Sequence, residues 1–343
     1  MPKGDAGTGK MSRIRDVAAR AGVSSATVSR VLADKPHVSD EVRGRVRAAA
    51  EALGYRPNRI ARSLRVQRSR FIGLIVSDIQ NPFFNRIVRA VEDTVLPHGF
   101  TVFLCNTDEN PERERLYLDL FLDEQVAGVV LTPTQADAAA YRSFSGAGIP
   151  LAVIDRSVTG LDVDTVVSDN LEASRAAVAQ LVGQGHTRIG AILSDVSITT
   201  GRLRLEGYTE ALGVSGLALD PNLTVFGKPV EAVGYALARR VLTQPQPPTA
   251  LFTGSKLLTL GVLRYLWDHH LRVPEDVALA AFDDLDWLPN PEMLNVTQPA
   301  YNIGLKAAEL LLARMGEPGR PPELHVLPSS VAWVGRQDVK GLA

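Results

Sequence analysis

No stretch of this sequence approaches the roughly eighteen uninterrupted apolar residues of a membrane helix, and the opening MPKGDAGTGKMSR lacks the apolar core of a secretory leader. A cytoplasmic protein without membrane attachment is expected. Cysteine is almost missing too: Cys105 stands alone, which excludes an internal disulfide framework and any cysteine metal cage. The chain also lacks a net charge to speak of, at -1 over 343 residues.

That near-neutrality hides a division. Residues 1–70 hold 16 Lys and Arg against 6 Asp and Glu, whereas residues 71–343 hold 21 against 32. A basic head on an acidic body points to a polyanionic partner at one end only, since phosphate contacts reward cations and an acidic body repels nucleic acid. Length and a hydrophobic fraction of 45% suggest two or three domains.

The head reads as three short helices. Ile14 to Ala21 forms the first, Gly22 breaks it, and Ser25 to Ala33 forms the second with Ser24 as N-cap. Two helices joined by a short glycine-containing turn have helix-turn-helix spacing. Val17, Ala18, Ala21, Val23, Val28, Val31 and Leu32 supply the apolar contacts. The other side of the second helix offers Ser25, Ala26, Ser29 and Arg30, small or hydrogen-bonding groups suited to a major groove, and Ser24 and Thr27 near its start join them as candidate DNA contacts. Arg30 is the natural guanine reader through paired donors to O6 and N7. A third helix after Ser39 aligns Val42, Val46, Ala49, Ala50 and Leu53.

The run IRDVAARAGVSSATVSRVL, continued by HVSDEVRGRVRAAAEALGYRPNRIARSL, resembles the head of the LacI/GalR family of bacterial transcription repressors. The resemblance implies a pseudo-palindromic double-stranded operator as partner, bound by a homodimer. It also gives RPNRIARSLRVQRS, residues 56–69, a role that composition alone leaves as a basic linker: a hinge helix that orders on the operator, with Leu64 wedged into the minor groove. Asn58, Arg59, Ala61, Arg62 and Arg65 would then contact the groove or phosphates. The chain ends WVGRQDVKGLA without leucine heptads, so a dimer rather than a tetramer is expected.

From Phe71 onward, β-rich runs alternate with amphipathic helices, the pattern of a doubly wound parallel sheet. FIGLIV, TVFLC, GVVLT and LAVID read as strands, with helices near 82–96, 111–124 and 135–147; RIGAIL, NLTVF, TALF and VALAAF repeat the theme. The expected fold is an all-α head with a hinge, then two α/β lobes like those of periplasmic binding proteins. The expected boundaries are a tail over 1–11, the head over 12–56, the hinge over 57–69 and the body over 70–343. Within the body, one lobe is expected near 70–168 and 302–328, the other near 169–298 and 331–343, with crossings near Asp169, 299–302 and 329.

Such sheets bind ligands beyond the carboxyl ends of their strands. Those loops carry Asn81, Phe83, Phe84, Asp155, Arg156, Thr200, Arg204, Asp283 and Gln298, a set suited to a sugar: carboxylates, amides and guanidinium groups pair with hydroxyls while aromatic faces cover the apolar side of a ring. By matching motif, the resemblance implies the same sites for ribose-type binding, apart from Thr200. It departs where Asn-Asp is usual in the family, for here stand Ser255 and Lys256. Ser255 can cap a helix. Lys256 would face the positive end of that helix's dipole, which favours a sugar acid or sugar phosphate unless the lysine reaches solvent or pairs with Asp283 or Asp284. Trp287 offers another stacking face or a packing element.

GDAGTGKM near the start falls short of a phosphate-binding loop, since Met11 replaces the hydroxyl and no strand precedes it. No cofactor, metal site or catalytic constellation is expected, and the chain reads as a ligand-controlled repressor of carbohydrate-metabolism genes. The rivals are a sugar-binding protein with no regulatory role, a nucleoside or purine effector, and an α/β enzyme.

Overall fold

The computed structural model describes residues 14–32, 36, 38–55, 69–283 and 292–335. Contacts divide the chain into two compact units, Met1–Arg68 and Ser69–Ala343.

The first unit is a trihelical head of α1 (Ile14–Ala21), α2 (Ser25–Leu32) and α3 (Asp40–Ala52). Gly22 takes φ +65, a left-handed geometry that glycine adopts without penalty, and so turns the chain between α1 and α2. Ser24 caps α2: its Oγ accepts from Thr27 N at 3.1 Å. Val17, Ala18, Ala21, Val28, Val31, Val46, Ala49 and Ala50 close one small core, with Val23, Leu32, Val42 and Leu53 packed at its edge. Ala33, expected to end α2, lies outside the described residues.

The second unit holds two six-stranded sheets. The first contains β1 (Phe71–Val76), β2 (Thr101–Asn106), β3 (Gly128–Leu131), β4 (Leu151–Ile154), β5 (Asp164–Ser168) and β11 (Leu324–Leu327); the second contains β6 (Ile189–Leu193), β7 (Thr224–Phe226), β8 (Ala250–Thr253), β9 (Ala278–Phe282), β10 (Met293–Thr297) and β12 (Ser330–Val334). Their orders are β11-β5-β4-β3-β1-β2 and β12-β10-β9-β8-β6-β7. Nearly every pairing is parallel; β12 alone runs antiparallel, against β10. Apart from Phe71 at the start of β1, the central strands are buried along their length, as strands covered by helices on both faces must be.

Helices α4 (Pro82–Val95), α5 (Pro111–Asp123), α6 (Arg142–Gly146) and α11 (Ala300–Gly316) belong with the first sheet; α7 (Asn170–Gly183), α8 (Thr199–Val214), α9 (Glu231–Leu242) and α10 (Lys256–Asp268) belong with the second. Both α4 and α5 begin with an Asn cap followed by proline at the first helical position, where the missing N–H costs nothing. The single helix expected at 135–147 is instead a 3-10 turn, Ala138–Tyr141, running into α6. The Tyr141 hydroxyl donates to buried Glu114 at 2.8 Å and pins that turn tightly.

The chain passes between the sheets three times: after Ser168, between Thr297 and Ala300, and between Leu327 and Ser330. Asp169 ties the first passage to the third, its N donating to Leu327 O and its Oδ1 accepting from Ser329 N at 2.7 Å.

Candidate functional site

The carboxyl ends of both sheets border one cleft. The loops after β1 and β4 bring Asn81, Phe83, Phe84, Asp155 and Arg156, and the loop after β2 brings Glu109; from the opposite sheet come Thr200, Arg204, Ser255, Asp283 and Gln298. Eleven residues from seven loops converge because parallel strands all deliver their chain to the same end. Ser77, Asp78, Ser194, Pro229 and Leu257 complete the lining.

Asn81 caps α4, its Oδ1 accepting from Phe83 N at 3.1 Å, and so fixes where the two phenylalanines enter. Their rings meet edge to face at 5.0 Å. Asp155 closes β4 at φ 67, a left-handed backbone unusual for a side chain other than glycine, of a kind that clusters at ligand sites. Burial pushes its carboxyl up, against the pull of Arg156 and Arg204.

Arg156 is 7% exposed. It donates to both carboxylate oxygens of Glu109 and to Pro133 O at 3.0 Å, and its Nε lies 3.4 Å from Asp155 Oδ2. Burial works against its charge, yet the Glu109 bond and the neighbouring carboxylates outweigh burial and hold its pKa up. Arg204, 6% exposed, is held differently. Its Nε donates to Asn170 Oδ1 at 2.8 Å, Nη1 donates to Gly254 O at 2.6 Å, and the guanidinium lies 3.8 Å from the Phe282 ring centroid. Burial lowers its pKa, partly opposed by the charges of Asp283 and Asp155. Gln298 Nε2 donates to Asp283 Oδ1 at 2.6 Å, and the Ser168 hydroxyl donates to Gln298 Oε1.

Ser255 caps α10, accepting from Leu258 N at 3.3 Å. Lys256 does not line the main cleft; it lies on a smaller adjoining cavity with Arg86, Asp283, Thr297 and Gln298. At 2% exposure it does not reach solvent, which removes one of the two innocent placements open to it. Trp287 and Asp284 lie outside the described residues. Glu109, Ser168 and Asn170 escaped the sequence reading. For Glu109 the signal was available, since it follows a strand; for the other two, polar residues at a strand end read as an ordinary helix start.

In the head, Ser24, Ala26 and Arg30 are exposed and Ser25, Thr27 and Ser29 half-buried, while Val28 and Val31 of α2 are buried in the head core. Thr27 Oγ1 shares a 2.9 Å hydrogen bond with Ser24 Oγ. The hinge residues Asn58, Arg59, Ala61, Arg62, Leu64 and Arg65 lie outside the described residues. Among the described residues, no helix is long and apolar enough to cross a membrane and no cluster of His, Cys, Asp or Glu is placed to hold a metal.

A helix-turn-helix head joined to a two-sheet ligand cleft defines a DNA-binding regulator that responds to a small molecule. Residues 13–58 match the bacterial regulatory proteins of the lacI family, and residues 178–337 match the periplasmic binding protein-like domain. The chain is 35% identical over 308 residues to the HTH-type transcriptional repressor CytR of Escherichia coli K12, spanning 88% of this chain and 89% of the relative. Among solved structures it is similar to the transcriptional regulator CelR–cellobiose complex, with 32% identity, TM-score 0.71 and coverage of 94% and 98% of the two chains. It is also similar to the lac repressor dimer bound to operator and the anti-inducer ONPF, with 25% identity, TM-score 0.82 and the same coverage. The protein belongs to the LacI family and is a DNA-binding transcriptional regulator, not an enzyme.

Proposed function

We propose that the cleft takes a neutral sugar and that its occupancy controls how tightly a homodimer grips a pseudo-palindromic operator. The observation that carries the ligand is the mixture of groups lining one cleft: Asp78, Glu109, Asp155 and Asp283 accept, Arg204 donates beside an Arg156 already bound to Glu109, and Phe83 and Phe84 offer apolar faces. Carboxylates outnumber guanidinium groups there, which favours hydroxyls over an anion. The likeness to a regulator solved with cellobiose, and to a repressor solved as a dimer on its operator, supports both parts.

On DNA, Ser24, Ser25, Ala26, Thr27, Ser29 and Arg30 would enter successive major-groove half-sites, with the hinge and Leu64 in the minor groove between them. A ligand that prefers one arrangement of the two lobes shifts the population toward it, limited by its difference in affinity for the two. A sugar acid is the second reading, supported by buried Lys256 beside Arg86 on the adjoining cavity.

Titration calorimetry with neutral sugars, sugar acids and nucleosides, followed by operator binding with and without the hit, tests the proposal. Neutral sugars should bind and change operator affinity. Binding of sugar acids alone, weakened by Lys256→Met, would establish the second reading; binding of nucleosides alone would sink both.

A further inference from the structure

The first passage between the sheets, Ser168-Asp169-Asn170, does more than connect them. Each of its three side chains reaches a different part of the machinery, and two of them reach groups that line the cleft. Ser168 and Asn170 are both buried, at 2% exposure each.

The chemistry forces the direction of the first contact. An ionised carboxylate only accepts, so Gln298 turns its amide NH2 toward Asp283, its Oε1 must face Ser168, and the Ser168 hydroxyl must donate. A one-way chain of donors thus runs from the passage to the cleft. Asn170 acts on the opposite charge. Its Oδ1 accepts from Arg204 Nε, and its own Nδ2 is anchored on Ser168 O at 3.1 Å, which settles which end of the amide faces the guanidinium. Arg204 has no carboxylate within ion-pair distance among the described residues, so neutral acceptors and the Phe282 ring set its aim. Asp169, between them, holds the third passage through Ser329 N.

We propose that Ser168 and Asn170 are positioning residues for effector recognition: from the two ends of the inter-lobe passage, the last residue of β5 and the first of α7, they orient Asp283 and Arg204. Both targets, the acceptor Asp283 after β9 and the donor Arg204 on α8, belong to the second lobe, so the passage that links the lobes also sets the ligand-facing groups of one of them. This rests on the reading that the cleft binds a sugar.

The test uses the full chain and has two arms. In calorimetry with D-ribose, D-glucose and cellobiose, Asn170→Leu should bind at least about tenfold more weakly than the parent, while Asn170→Asp, which keeps the acceptor but pairs the Arg204 charge, should lose less than Asn170→Leu does. A merely structural role predicts instead that affinity follows thermal stability across the variants, whether or not the acceptor remains. In the second arm, crystal structures should show Arg204 displaced in Asn170→Leu but not in Asn170→Asp, and the Gln298 amide turned from Asp283 in Ser168→Ala. If none of the sugars binds the parent, the sugar reading fails and the crystal structures still decide the positioning. Unmoved Arg204 and Gln298, or parent-like affinity in Asn170→Leu, overturns the proposal. Should Asn170→Leu not fold, Ser168→Ala carries both arms, with weakened sugar binding and a turned Gln298 expected together.

Discussion

Two arginines face the cleft from opposite walls, equally buried and oppositely held. Arg156 is matched by Glu109 and Asp155 before any ligand arrives, whereas Arg204 leans on an amide oxygen, a main-chain carbonyl and an aromatic face. The difference teaches that burial alone does not mark a ligand-binding cation. A paired charge has already recovered its desolvation cost and holds the wall together; a charge on neutral acceptors still gains from a new partner.

The sharpest way to break this comparison is to remove each in turn. Arg156→Met strands Glu109 and Asp155, and urea unfolding should record a loss of about 3 to 5 kcal/mol. Arg204→Met should lose less stability and most of its sugar binding, on the order of a hundredfold by calorimetry. If the two losses were interchanged, the assignment of one structural and one recognition arginine would fall.

The wall behind Arg204 can be stressed without touching the cleft. At Gly207, one turn along α8, an added Cβ would sit 2.3 Å from Leu171 O of α7. That backbone cannot yield as a side-chain tip can. Gly207→Ala should therefore cost about 1 to 3 kcal/mol in thermal or urea unfolding and push α8 away from Asn170. An unchanged midpoint would mean that the two helices are free to slide apart.

A pH profile sharpens the other wall. Because burial raises the Asp155 carboxyl, the folded protein holds that proton more firmly than the unfolded chain does. Stability thus falls as pH rises from the ordinary carboxylate value through the raised one, and Asp155→Asn should flatten that part of the curve. A slope unaltered by the substitution would assign it to another group. The mildest probe crosses the cleft: Thr199 Oγ1 donates to Ser157 O at 3.0 Å, from one lobe to the other. Thr199→Val should change sugar affinity by a few-fold at most, about the worth of one hydrogen bond.

Much of this was legible in the order of residues. Within FIGLIV and RIGAIL, the runs IGLIV and IGAIL are continuously apolar because both faces are covered, and the rule that ligands gather beyond strand ends led to Asp155, Arg204 and Gln298. The missed strands have physical reasons. Of the four, β11 and β12 are short edges with alternating partial exposure, so neither shows a buried strand's signal, while β5 and β10 are buried but their runs DTVVS and MLNVT are broken by polar residues. An alanine-rich run around 138–141 carries helical propensity, but the Tyr141 tie to Glu114 lies far off in sequence and wins. Ser168 and Asn170 stayed hidden for the same reason: their partners are fixed by tertiary packing.

The placement of β11 and β12 bears on how the protein is made. Each sheet takes an edge strand from residues 324–334, so a ribosome that has reached residue 310 has finished neither lobe. A premature stop near residue 320 would leave both with a raw edge at once, and neither lobe could be exchanged with a homologue's by swapping one contiguous segment of gene.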